Sequence, residues 1–221
     1  MILRRRWAWL KSTIMRTRVK FCGFTREEDV QTAVALGVDA LGFVLYEKSP
    51  RYVTPERVAQ LCAHVPAFVS TVALFVNADE AQIQSVLQKA PIRSVQLHGD
   101  ESFAFALHLQ QMLNIPVIKA VRVNAQTDWG QIAQYVDQLS GVLLDSDSAG
   151  YGGSGHGFDW NAIPQPLRSR IILSGGLTVD SVGEALAQIA PYAVDVSSGI
   201  EVAKGIKDAD KMRAFMQNVL R

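Results

Sequence analysis

Cys22, Asp145 and Arg51 are the residues of this chain whose types and settings are best suited to chemistry. Cys22 closes the run "VKFC", and because side chains alternate along an extended run, Lys20 and Cys22 share one face. A free thiol ionises near pH 8.5, roughly, and a neighbouring ammonium would lower that toward neutrality. A thiolate there could act as a general base; the alternative is a small buried hydrophobe, the reading taken by Cys62 in "TPERVAQLC". Asp145 ends "GVLLD", and burial of a carboxyl at a strand end would raise its pKa toward general-acid use. Asp147 has the same parity but lies past the apolar run and ranks second. Asp195, in "AVDVSSG", reads as a structural hydrogen-bonding residue. Arg51, in "KSPRYVT", carries a planar fork suited to a carboxylate, set against the default of a solvated arginine.

Glycine clusters supply a second kind of chemistry. "YGGSGHGFDW" from Tyr151, "LSGGLT" from Leu173 and "VSSGIE" from Val196 each let the backbone turn and gather N–H groups toward one point. A single Gly-Gly most often marks a tight turn. Three such clusters together point to an anion, and so to a phosphorylated substrate.

These residues need a frame, and periodicity provides one. Short β-branched runs recur at "RVKFC", "DALGFVL", "VSTVALFV", "RSVQL", "PVIKAV", "GVLLD", "RIILS" and "YAVDVS". Stretches of helical spacing alternate with them: "REEDVQTAVALG" puts Val30, Ala33, Val34 and Gly37 on one face, and "TPERVAQLC" opens with a threonine cap and a proline. Eight units of this kind predict an α/β fold, a (β/α)8 TIM barrel, rather than an open doubly wound sheet. The barrel is expected over 18–221, after a poorly ordered extension at 1–17; the sixth unit should be irregular, with only a short helix near "NAIP". Active sites of such barrels lie at the C-terminal ends of the strands, where the first, second and sixth units place Cys22, Arg51 and Asp145. Asn77, His98 and Arg122 end the third, fourth and fifth.

A formal net charge of +1 gives no electrostatic case for nucleic acid or an anionic membrane. The two cysteines have neither metal-ligand spacing nor a disulfide framework, so no metal is expected and a reducing cytoplasm is the simplest setting. In the opening "MILRRRWAWLKSTI" the apolar part is too short for a signal and is broken by Lys11; a chain starting at Met15 would keep what the fold needs. No run approaches the roughly twenty apolar residues of a membrane span.

Together, "VKFCGFT", "KSPRYVTPE", "VALFVN", "SVQLHGDES", "LLDSDSAGYGGSGHGFDW", "LSGGL" and "DVSSGIEVAKGIKD" resemble the phosphoribosylanthranilate isomerase family, from about Val19 to the chain's end. The resemblance implies a (β/α)8 barrel without cofactor, isomerising a small phosphorylated substrate, N-(5-phosphoribosyl)anthranilate, in tryptophan synthesis. It implies Cys22 as general base, Asp145 as general acid, Arg51 on the anthranilate carboxylate, and the backbones of Gly153, Ser154, Gly155, Gly175, Gly176, Ser198 and Gly199 on the phosphate. His156-Gly157 departs from the family pattern and could make phosphate binding pH-sensitive. An aminoaldose isomerase of histidine synthesis is a rival, but it would end its first strand in aspartate; a catalytically silent phosphosugar binder would have no use for the three chemical residues together. A monomer and a homodimer both remain open.

Overall fold

A computed structural model describes residues 16–146 and 158–220. The extension up to residue 15, Asp147, the predicted phosphate contacts Gly153, Ser154 and Gly155, and the pair His156-Gly157 lie outside the described residues.

Eight parallel strands close into a barrel in sequence order: β1 Arg18–Cys22, β2 Ala40–Val44, β3 Ser70–Phe75, β4 Ser94–Leu97, β5 Val117–Val123, β6 Gly141–Ser146, β7 Ile172–Leu173 and β8 Ala193–Val196. Closure brings β1 against β8, with Lys20 opposite Asp195. The helices between them are α1 Glu27–Ala35, α2 Pro55–Cys62, α3 Glu80–Lys89, α4 Phe103–Leu113, α5 Trp129–Tyr135, α6 Gln165–Arg168 and α7 Val182–Ile189. After β8 the chain makes a short hairpin, β9 Glu201–Ala203 and β10 Ile206–Lys207, and ends in α8 Ala209–Val219. The expected irregularity of the sixth unit is present: a 3-10 turn at Trp160–Ala162 precedes the four-residue α6.

Local chemistry explains the elements. Thr54 accepts from the Arg57 N–H at the start of α2, with Pro55 in the first turn, and Asp79 with Gln82 closes a full capping box on α3. On α1, Val30 and Ala33 are buried, whereas Gly37 departs from the expected helix face: it is exposed, beyond the helix, at φ 81°. A left-handed turn there ends the helix, a role glycine fills at little cost.

Alternation along the strands divides the interior. Val19, Phe21, Leu41, Phe43, Ala73 and Val95 join one large apolar cluster between barrel and helices. Residues of the opposite parity point into the barrel, where Ala120, Leu143, Ile172 and Ala193 form a small separate cluster. The same layers also bury Lys20, Gln96, Asp145 and Asp195. Bulky branched residues dominate the usual barrel interior. Polar groups taken out of water cost free energy unless partnered, so their partners define the site.

Candidate active site

A cleft opens among the C-terminal strand ends, where the active sites of such barrels lie. Cys22, Arg51, Asp145, Gly175, Gly176 and Ser198 all line it, together with His98 and Asp195. Residues far apart in sequence therefore converge because each ends a neighbouring strand or follows one.

On the β1 side, Lys20 Nζ lies 2.8 Å from Asp195 Oδ1, both side chains buried. A Cβ placed on Gly42 would fall 2.5 Å from Cys22 Sγ and 3.1 Å from Lys20 Nζ, so the thiol and the ammonium fill the space that a side chain at position 42 would take. Burial alone would lower the Lys20 pKa, but the charges of Asp195 and Cys22 and their hydrogen bonds outweigh it and raise it, keeping the ammonium charged. The expectation of a thiol drawn toward neutrality is corrected: burial pushes the Cys22 pKa up, more than the opposing ammonium of Lys20 pulls it down, and Asp195 adds to the rise. Asp195 spends much of the ammonium's effect. Cys62 is the plain contrast, a buried thiol on α2 that burial alone pushes up to about 11.

On the β4 and β6 side, Asp145 Oδ2 lies 3.0 Å from His98 Nε2, and Asp145 Oδ1 accepts from the backbone N–H of Ser146 at 2.8 Å. Gln96 Nε2 sits 2.9 Å from His98 Nδ1, while Gln96 Oε1 has no partner among the described residues. Turning that amide over would offer Oε1 to an Nδ1–H, so Gln96 can serve either tautomer of the ring. Sequence reading placed His98 at the end of its strand but not its pairing with Asp145.

Arg51 is not the solvated fork of the default reading. It is 8% exposed, and its Nε and Nη2 donate to Glu201 Oε1 and Oε2 at 2.8 and 2.7 Å. Nη1 makes no hydrogen bond among the described residues. Burial works to raise the Glu201 carboxyl, but the Arg51 hydrogen bond and the Lys207 charge hold it below the usual range. Glu201 and Lys207 were missed because "VSSGIEVAKGIKD" reads as a phosphate loop running into a helix. The signal that could have found them is the Lys204-Gly205 pair between Val202 and Ile206, which marks the hairpin turn, Gly205 standing at φ 80°.

Gly175 and Gly176 both adopt positive φ, 79° and 70°, at the rim of the cleft. Ser198 opens a 3-10 turn, Ser198–Ile200. Gly199 is not among the residues lining this cleft; a Cβ there would collide with the Leu177 backbone oxygen, which accounts for the glycine by packing. Asn77 and Arg122 are not among the residues that line this cleft, and both bond to Asp100 in the loop after β4. Among the described residues no helix is long and apolar enough to cross a membrane, and no group of histidine, cysteine and carboxylate side chains could hold a metal.

The family model for N-(5'phosphoribosyl)anthranilate (PRA) isomerase matches residues 19–218. The N-(5'-phosphoribosyl)anthranilate isomerase of Dechloromonas aromatica is 47% identical, over 93% of this chain and 97% of its own. The crystal structure of phosphoribosyl anthranilate isomerase from Thermus thermophilus superposes with a TM-score of 0.82 at 35% identity, covering 93% of this chain and 100% of that one. A phosphoribosyl anthranilate isomerase crystallised with reduced 1-(o-carboxyphenylamino)-1-deoxyribulose 5-phosphate gives 0.78 at 36% identity, covering 92% and 98%.

Proposed function

Since the chain belongs to the N-(5'-phosphoribosyl)anthranilate isomerase family, we propose that Cys22 is its general base, Asp145 its general acid and Arg51 its grip on the anthranilate carboxylate. The reaction is the Amadori rearrangement of N-(5-phosphoribosyl)anthranilate to 1-(2-carboxyphenylamino)-1-deoxyribulose 5-phosphate, the third step of tryptophan synthesis from chorismate. The observation that carries the assignment of roles is that a buried thiol and a buried carboxyl line one cleft with a buried arginine and two positive-φ glycines.

The chemistry follows from those positions. Asp145, in the protonated form of its pair with His98, gives a proton to the ring oxygen of the ribose. As the C1–O bond breaks, the anilino nitrogen donates its electron pair and a C1=N iminium forms. That cation acidifies the proton on C2, which the Cys22 thiolate removes; the C–H electrons become the C1=C2 bond of an enolamine and the nitrogen returns to neutrality. Tautomerisation moves the enol proton to C1 and leaves the ketone at C2. A thiol with a raised pKa is less often ionised at neutral pH, but its thiolate is a stronger base, so the two effects partly offset.

Positioning supplies the rest. Arg51 offers Nη1 to the carboxylate at one end of the substrate. Gly175, Gly176 and Ser198, with Gly153, Ser154 and Gly155 of the preceding loop, present backbone N–H groups to the phosphate at the other. Holding both ends places the ribose carbons between β1 and β6, where remote binding energy serves the reacting centre. None of these steps draws on a cofactor. The two buried free thiols accord with a reducing cytoplasm, in which we place the enzyme as a monomer or homodimer.

A fluorescence assay following the loss of freshly made phosphoribosylanthranilate tests the assignment. Wild type should turn the substrate over, and Cys22→Ser should lower kcat by about 10²-fold, within the range of general acid–base catalysis. Unchanged turnover in that variant would remove Cys22 from the mechanism.

A further inference from the structure

Three buried charges beside the cleft, Arg51, Glu201 and Lys207, form one connected cluster. Lys207 Nζ lies 2.8 Å from Glu201 Oε1, 2.5 Å from the backbone oxygen of Cys22 and 3.2 Å from that of Ser197. An uncharged amine has two hydrogens to give; three acceptors call for the ammonium. Two positive charges therefore surround one carboxylate inside the protein. Such clusters are poor sources of stability, because desolvation offsets the attraction. The surplus positive charge, carried to the cleft by Arg51, is what an anionic substrate group would balance.

The geometry links two tasks. Arg51 receives Glu201 on its Nε and Nη2 edge, and Glu201 is held in turn by Lys207, whose ammonium ends on the backbone of the residue assigned as base. The stem of Arg51 packs on the next residue: a Cβ on Gly23 would stand 2.5 Å from Arg51 Cδ. The hairpin that carries Glu201 and Lys207 is itself tied down. Thr25 Oγ1 donates to the Gly205 oxygen at 2.6 Å, and the Lys207 N–H donates to Asp29 Oδ2 at 3.0 Å.

We propose that Glu201 and Lys207 are positioning residues of the isomerase: they fix the Arg51 fork relative to the Cys22 backbone, and so set the span between the substrate's carboxylate and the carbon from which the proton is taken. A freely rotating arginine could hold the carboxylate equally well while leaving C2 out of reach of the thiol. The hairpin after β8 thus acts as a strut behind the substrate grip. The inference rests on the reading of Arg51 as the carboxylate grip.

A double-mutant cycle in the full-length enzyme tests it, with KM and kcat measured for wild type, Glu201→Gln, Arg51→Ala and the double variant, and folding checked by circular dichroism. Glu201→Gln should lower kcat about tenfold and raise KM by less than about threefold, yet change kcat by less than about twofold once Arg51 is alanine, because coupled residues are not additive. Should Glu201→Gln fail to fold, Glu201→Asp, which keeps the charge and shortens the reach, enters the same cycle and is judged by the same non-additivity. Equal losses in kcat with and without Arg51 would overturn the positioning role while leaving the grip intact. An Arg51→Ala enzyme with unchanged KM would instead refute the grip, and the proposal would fall with it.

Discussion

The two sides of the cleft are built from different materials. Around Cys22, on β1, β8, the β9–β10 hairpin and the loop after β2, lie Lys20, Asp195, Lys207, Glu201 and Arg51, an ionic scaffold of buried pairs. Around Asp145, on β4 and β6, the partners are an imidazole, an amide and a backbone N–H. The difference matches the proposed roles. A base must exist as an anion part of the time, so it is surrounded by fixed cations, each held by a carboxylate that limits its reach. An acid must keep a proton and pass it on, so its partner can itself carry one.

The largest effect should come from breaking the acid side. Asp145→Asn keeps the shape and removes the ionisable group; kcat should fall by about 10³-fold, within the span of general-acid contributions, measured by the fluorescence assay at fixed pH. Near-normal turnover would return attention to Asp147, outside the described residues.

A smaller and more diagnostic effect should follow from the base side. Lys20→Met removes the cation that opposes burial at Cys22, so the thiol pKa rises further and the thiolate fraction at pH 7 falls. The sign follows from the role: a base works deprotonated, so kcat/KM should climb with pH past the ordinary thiol value of about 8.5 in wild type, and climb later still in the variant. At pH 7 the activity should fall, because less thiolate is present, with the greater basicity of that thiolate offsetting part of the loss. The groups facing the thiol are Lys20 on β1, Asp195 on β8, Lys207 on β10 and Arg51 in the loop after β2, so the comparison is cleanest with those three others unchanged. The buried Asp195 left behind should also cost stability, about 3 kcal/mol in urea unfolding, as when one partner of a buried pair is removed. A pH profile that does not move would dissociate Lys20 from the base.

What could be read from sequence, and what could not, divides along the same line. Cys22 and Asp145 were legible because each ends an apolar run, and barrel strands deliver their last residues to the mouth. The pairing of Lys20 with Asp195 was not, since it depends on barrel closure bringing together residues 175 positions apart. The direction of the Cys22 shift was misjudged because side-chain parity reveals a neighbouring ammonium but says nothing about how far the same ammonium is committed to a carboxylate. Burial then decides. The strut of Glu201 and Lys207 hid in a hairpin whose strands have three and two residues, too short for periodicity to register. Gly199 carries a constraint that sequence could not show: a Cβ there would collide with the Leu177 backbone oxygen, so packing also demands glycine at that position.

Single-turnover conversion of phosphoribosylanthranilate carrying deuterium at C2, by wild type and Cys22→Ser in parallel, tests the central assignment most directly, because it isolates proton removal from product release. If the thiolate takes that proton, Cys22→Ser should be slower by about 10²-fold and show a primary isotope effect at least as large as that of wild type. A serine variant as fast as wild type, or a rate insensitive to the C2 isotope in the variant, would contradict it.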